Sequence, residues 1–328
     1  MTAVDDRPIL EYEVDDDVPI ELNRATTGAD RVFSGLLVLC SAAVLAILVA
    51  VVIFLVIYGW PALERAGIGI FGTTWAPDLG RFGLTPLLVG SIAIAMVALV
   101  IAVPVSLSTA LLINEYLPGR FRSVMTGIID LLATVPSIVY GFWGLELISG
   151  LQATPAKWLV KHFNFVPFFR TPTPGEYVNS IFACGLVCAV TIIPIVTSVS
   201  RDVMSQAPRD VCEAAMGLGG TKWGMITDVI LPFSKRGVVS ASLLGLGRGL
   251  GETMIVVLML STSNKLTLAL MGPQGLGSIA KQITQDFPTG SDIDKSALIL
   301  AGLVLFISTL AVNAISQAIV NRSVRSHQ

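Results

Sequence analysis

Charge is scarce in this 328-residue chain: Asp, Glu, Lys and Arg together make up 13% of it, while 53% is apolar. That is too little charge to solvate a water-soluble fold of this length, so most of the surface must face something other than water. Cysteine and histidine are scarcer still, at four and two residues. Cys184 and Cys188 stand one turn apart, but a soft metal site needs more ligands, and small apolar packing residues are the plainer reading. His162 falls in an outer loop and His327 in the terminal tail, so neither reads as a ligand. No H-E-x-x-H, G-x-S-x-G or paired Cys and His arrangement occurs, so no nucleophile with its base is visible and no cofactor is implied. A G-x-x-x-x-G-K-[ST] phosphate loop is missing too, so the chain should not hydrolyse ATP itself.

What the chain does have is long apolar runs. A bilayer core about 30 Å thick asks for roughly 20 apolar residues per helix. Residues 32–60, 82–114, 177–200 and 296–321 all reach that length without a single charged residue. Residues 123–145 and 237–264 reach it as well, but with Asp130 inside one and Arg248 with Glu252 inside the other. The expected fold is therefore an all-α, polytopic membrane protein with six transmembrane helices.

The first 31 residues carry nine acidic and three basic residues and lack the order of a cleavable signal, so they read as a disordered acidic cytoplasmic tail. A first transmembrane helix over residues 32–60, a core over 82–321 and a short tail over 322–328 complete the expected organisation. Orientation follows from Lys and Arg beside the spans. With the N-terminus inside, the inner segments hold Arg31, Arg120, Arg122, Arg201, Arg209, Lys222, Lys235, Arg236, Arg322 and Arg325. The outer loops hold Arg65, Arg81, Lys157, Lys161, Arg170, Lys265, Lys281 and Lys295, mostly farther from span ends. The bias favours a cell-membrane protein with both termini cytoplasmic. Trp60, Tyr58, Tyr177 and Trp143 sit near span ends and read as interfacial anchors. Four prolines, Pro155, Pro167, Pro172 and Pro174, argue against one long helix between spans three and four.

The loop over residues 201–236 is the longest ordered-looking cytoplasmic piece. Pro208 suits the first turn of a helix beginning at Arg209, Gly219 and Gly220 stop that helix, and Thr221 caps a second one running to about Val229. On shape alone this is either an amphipathic connector or a piece that docks in a groove on a soluble partner. Its sequence narrows the choice. Glu213, Ala214 and Ala215, then Gly219, Val229, Leu231 and Pro232 at their spacing resemble the EAA loop of ABC-importer permeases, which usually have Ile where Val229 stands.

Within that superfamily, three more stretches are similar to the phosphate-specific permeases of the PstC and PstA type, PstC more than PstA. They are Pro104 with Asn114, Glu115 and Tyr116; Val135 to Gly141; and Gly247 to Thr253. The resemblance implies a type I ABC-importer permease architecture with a cytoplasmic coupling helix. It implies that Glu213, Ala214, Ala215, Gly219, Leu231 and Pro232 receive motion from an ATP-binding subunit. It also implies the partners: a second permease of PstA type, a dimeric ATPase of PstB type and an extracytoplasmic phosphate-binding protein of PstS type, all at the lipid bilayer and none of them nucleic acid. Permeases for sulfate, molybdate and phosphonate share the architecture, so the anion is less specified than the class. A stand-alone secondary transporter would more commonly show doubled, inverted repeats.

The residues themselves supply a candidate pathway. An Arg in mid-span costs several kcal/mol unless a partner or water compensates. On a continuous helix Glu252 lies one turn from Arg248 and can pair with it when no substrate is bound. The planar guanidinium fork matches phosphate oxygens, so Arg248 and Glu252 serve either an anion pathway or a buried pair that only fixes packing. Gly245, Gly247, Gly249 and Gly251 allow close helix approach under both readings. Asp130 could face a cavity, a polar partner or an interface. Pro136 should kink span three, and Ser137 could satisfy a carbonyl the kink frees.

Overall fold

In a bilayer every backbone N–H and C=O must be satisfied within its own segment, which is why apolar runs of this length become helices. The computed structural model describes residues 28–76, 80–151, 155–171, 177, 179–261, 266–267, 269–273 and 275–325. Of the acidic tail expected over residues 1–31, residues 1–27 lie outside them and residues 28–31 open α1; Pro172, Pro174, Lys265 and His327 also lie outside. In chain order the helices are α1 (Gly28–Ala66), α2 (Thr85–Leu111), α3 (Gly119–Thr134), α4 (Ser137–Leu151), α5 (Pro155–Phe163) and α6 (Ile181–Met204). They continue as α7 (Arg209–Gly217), α8 (Lys222–Met225), α9 (Leu231–Gly251), α10 (Met254–Met259), α11 (Ile279–Asp286) and α12 (Asp292–Arg325). A two-residue antiparallel hairpin, β1 (Trp75–Ala76) and β2 (Arg81–Phe82), precedes α2. The helices at both ends outrun the expected spans, since α1 begins at Gly28 and α12 continues to Arg325.

The chain divides at Val51 into two units. The described part of the first is the opening of α1, residues 28–51, an apolar helix exposed on every side. Such a helix is a lipid-facing span.

The second unit starts at Val52. Pro61 lies inside α1 and cannot donate a backbone hydrogen bond. Beside it the Ser296 hydroxyl of α12 accepts from the Ala62 N–H at 3.1 Å and donates to the Tyr58 carbonyl at 2.7 Å. That hydroxyl bridges a rung of the helix ladder next to the proline and fastens α1 to α12. Farther in, α6 is the axis of the core: Cys184, Cys188, Ile192 and Val196 are fully buried among residues of α2, α9 and α10. Gly245 and Gly249, one turn apart on α9, make close packing possible. A Cβ at Gly245 would stand 2.8 Å from Ile192 and Val196, and one at Gly249 would stand 3.3 Å from Ile192.

Among the described residues five helical runs are long and apolar enough to cross a membrane, and a bent pair, Gly119–Thr134 with Ser137–Leu147, passes the same test together and counts as a sixth if it is one span. The bend falls where Pro136 was expected to kink the chain. There α3 stops at Thr134, α4 starts at Ser137, and the axes differ by 95°. The hydroxyl that satisfies a freed carbonyl is that of Tyr140, which donates to the Leu132 oxygen at 2.9 Å, and not that of Ser137. Tyr177, expected at an interface, is buried, whereas Tyr58, Trp60 and Trp143 are exposed.

Span five differs most from expectation. It is not residues 237–264 but one helical run, Lys222–Gly251, made of α8, a π-helical turn over Ile226–Ile230 and α9. The second short helix expected to end near Val229 is thus the start of the span itself. The π turn falls just before Pro232, which has no N–H to donate, so an unbroken α-helix would leave the Asp228 carbonyl without its partner. At the other end Glu252 is extended, with φ −70° and ψ 118°, and the six-residue α10 follows.

Candidate functional site

Arg248 lies in the last turn of α9, just ahead of that break. Leu244 and Gly251 on the same face are exposed, and a Cβ added at Gly247 or Gly251 would meet nothing within 4 Å. Arg248 is half-buried on this open face, and its Nε is buried with no hydrogen-bond partner. Glu252 is 8% exposed. The expected pairing of Glu252 with Arg248 does not form: neither residue is in an ion pair among the described residues. The reason is geometric, because neighbours four apart face each other only within a helix, and α9 has ended before Glu252.

Helix ends compensate part of the cost. A cation in the last turn of α9 and an acid just ahead of α10 each oppose the local end charge of a helix, though neither neutralises the other. At the far end of α10, Lys281 of α11 donates from Nζ to the Leu260 carbonyl and is only 5% exposed. Burial pulls its ammonium below the usual lysine range. A lysine that reads as an outer-loop residue in sequence is thus a buried tie holding the broken helix. Tyr140 and Cys188 both lie within reach of the Arg248 charge, and Cys188 within reach of Glu252 as well.

Asp130 does not join this group. It is exposed on α3 and faces Ser198, whose hydroxyl lies 3.5 Å from its Oδ1. Ser198 is ten residues along α6 from Cys188, a rise of about 15 Å, so Asp130 sits at another depth. Ser137 sits half-buried at the kink in span three. Among the described residues no His, Cys, Asp and Glu group has the placement to hold a metal ion.

The second candidate site is α7 with its flanks. The helix spans the expected residues, Gly219 follows it with φ +87°, and Thr221 caps α8 by accepting from the Gly224 N–H at 3.1 Å. Only glycine takes that φ without strain. The neighbouring Gly220 is needed for clearance, since a Cβ there would fall 2.5 Å from the Ala215 carbonyl. Glu213 and Ala214 are exposed, Ala215 is half-buried, and Leu231 and Pro232 lie where the π turn passes into α9. Val211, Met216, Trp223 and, at 90%, Leu218 present uncovered apolar surface around α7.

A clamp that the sequence did not announce fixes this piece to the core. Asn114, at the end of span two, donates from Nδ2 to the Arg201 carbonyl at the end of α6 at 2.7 Å. Its Oδ1 accepts from Arg122 Nη2 of α3 at 2.8 Å. Lys222 donates to the Glu115 carbonyl and stands 4.7 Å over the Tyr116 ring. Below the clamp, Met204, Met225, Ile226 and Ile230 bury one small core with Ala110. Burial and the Glu115 and Glu213 carboxylates together push the Cys212 thiol above its usual value, so this α7 cysteine stays protonated. The tripeptide Asn114, Glu115, Tyr116 was visible in the sequence. Its role was not, because it depends on which helix end lies beside it.

Residues 102–326 match the family described as binding-protein-dependent transport system inner membrane component. A phosphate transport system permease protein PstC of Pasteurella multocida is 36% identical over 84% of this chain and 87% of its own length. The protein of the same name from Xylella fastidiosa (strain Temecula1 / ATCC 700964) is 35% identical over 90% of this chain and 91% of its own. PstC 2 of Mycobacterium tuberculosis is 36% identical over 85% and 87%. In fold the chain is similar to the crystal structure of a bacterial importer of the acidic polysaccharide alginate, at a TM-score of 0.52, 16% identity and 88% and 99% coverage. With a family match over most of its length and these relatives, the chain belongs to the inner-membrane components of binding-protein-dependent ABC importers.

Proposed function

We propose that this permease, a transport subunit and not an enzyme, forms part of the translocation pathway of an ATP-driven importer for inorganic phosphate. The observation that carries the reading is Arg248: a guanidinium on the open face of α9, beside a broken helix, with no carboxylate within ion-pair distance among the described residues. A half-buried cation whose Nε has no fixed partner is costly within a membrane span, and a passing oxyanion that accepts a bidentate hydrogen bond relieves that cost during transport. Relatives that carry phosphate in their names support phosphate over other oxyanions. Glu252 supplies the opposing charge that keeps the anion from binding too tightly to leave, and Ser137 and Asp130 line the pathway at other depths.

On the opposite end, α7 is the coupling helix. Its exposed apolar residues and Glu213 fit a groove on the ATPase, with Ala214 and Ala215 packed close and Gly219, Leu231 and Pro232 setting its angle to the span. A PstA-type permease, a PstB-type ATPase dimer and a PstS-type receptor complete the importer, and both termini lie in the cytoplasm. Uptake of radiolabelled phosphate in cells lacking other phosphate importers tests the substrate. Undiminished uptake in excess sulfate or molybdate is the expected result, and competition by either would reassign the anion. In a cysteine-free background, labelling of Ser205→Cys only from inside and Lys161→Cys only from outside is expected. The reverse would invert the topology.

A further inference from the structure

Between the bent third span and α6, on the membrane face opposite α7, α5 carries an aromatic shelf that the transport reading does not use. Trp158 is 53% and Phe165 73% exposed, with Phe163 and Phe168 uncovered beside them. The rings interlock: Trp158 and Phe163 lie 5.9 Å apart, Phe163 and Phe165 6.0 Å, and Phe163 and Phe169 5.9 Å. Phe169 in turn packs on Phe182 at 6.5 Å, in the first turn of α6. The Leu270 N–H donates to the Phe168 carbonyl at 3.0 Å and the Phe182 N–H to the Leu270 carbonyl at 3.1 Å, which ties the shelf to the core. It is therefore held at the level where α6 enters the membrane.

Charge on this segment has one sign. Residues 155–171 contain Lys157, Lys161 and Arg170 and no Asp or Glu, and all three cations are exposed. Lys157 and Lys161 are one turn apart on α5, on the side away from the half-buried Leu159 and Val160. A short amphipathic helix with aromatic rings and one-sided lysines, fixed at the end of a span, has the composition of an interfacial element.

We propose that α5 and the turn over residues 164–169 lie in the lipid headgroup layer on the face opposite α7 and bind anionic phospholipid. The aromatic rings sit at the headgroup and acyl boundary, and the Lys157 and Lys161 ammonium groups meet headgroup phosphates. A free anion in solution has no use for the aromatic shelf, whereas a phospholipid engages both halves of it. The proposal does not depend on which anion the importer carries.

Trp158 is the probe. In the assembled importer in nanodiscs, with Trp60, Trp75, Trp143 and Trp223 replaced by Phe, acyl-brominated lipid should quench most Trp158 emission. Quenching should be stronger when the brominated lipid is anionic than when it is zwitterionic. Lys157→Gln with Lys161→Gln should abolish that preference, each lysine accounting for about a fivefold enrichment. If the multiple variant fails to assemble, Trp158→Phe alone in otherwise unaltered protein should lower the quenchable fraction. Emission that ignores brominated lipid overturns the proposal. A Trp158 spectrum that shifts only on adding the soluble binding protein would give the shelf to that protein. Equal quenching by both lipids would refute the headgroup contact.

Discussion

Replacing Asn114 with Ala should loosen the coupling piece without disturbing the membrane core. Asn114 makes two hydrogen bonds, one to a neutral carbonyl and one from a guanidinium. A neutral bond contributes about 1 kcal/mol and a charge-assisted one about 2, and half-exposure reduces the second, so the loss is about 2 kcal/mol. It falls locally, since Asn114 joins only the ends of span two, α3 and α6. Local opening of the α6 to α8 connection should then become about thirtyfold more frequent. Hydrogen exchange of amides 205–225 in the assembled importer reads this directly, with amides in the middle of α6 as the internal reference. Asn114→Asp keeps the acceptor for Arg122 and loses only the donor to the Arg201 carbonyl, so it should show a smaller change. Unaltered exchange in Asn114→Ala would refute the clamp.

Gly219→Ala forces a side chain into positive φ at a cost of about 1 to 2 kcal/mol, and Gly219→Pro cannot take that φ at all. Both, together with Glu213→Lys, should leave the subunit in the membrane with uptake reduced and ATP hydrolysis retained. Normal uptake per ATP hydrolysed would argue against a coupling role for α7. Lys281→Met removes the tie to the Leu260 carbonyl and should lower uptake while assembly persists, with Lys281→Gln restoring part of it through a shorter donor. Equal uptake in Lys281→Met and the unaltered protein would leave Lys281 a packing residue.

Much of this was legible in the chain, for reasons that differ residue by residue. Charge-free runs announced four spans because a bilayer tolerates little else over 20 or so residues. Pro136 announced the bend and Pro208 and Gly219 the ends of α7, each through its own backbone, while Thr221 announced the start of α8 through its capping hydroxyl. Most of what escaped was set by neighbours distant in sequence. The Arg248 to Glu252 pairing assumed a helix running through residue 252; Gly247, Gly249 and Gly251 read as packing contacts, whereas Gly251 also ends α9. Lys281 read as a loop cation because α10 and α11 are too short to look like part of a membrane domain. Tyr140 took the role given to Ser137 because a phenol reaches back across the 95° bend to Leu132.

The most direct measurement is phosphate uptake by Arg248→Lys, with Arg248→Met and Glu252→Leu combined as its companion, in cells with no other phosphate importer. Lysine keeps the charge and loses the planar fork, while the double variant removes the half-buried cation and the buried carboxylate and leaves apolar volume behind. Each variant should assemble with its partner subunits and fail to move phosphate. Robust uptake by the double variant would remove Arg248 from the pathway and contradict the account.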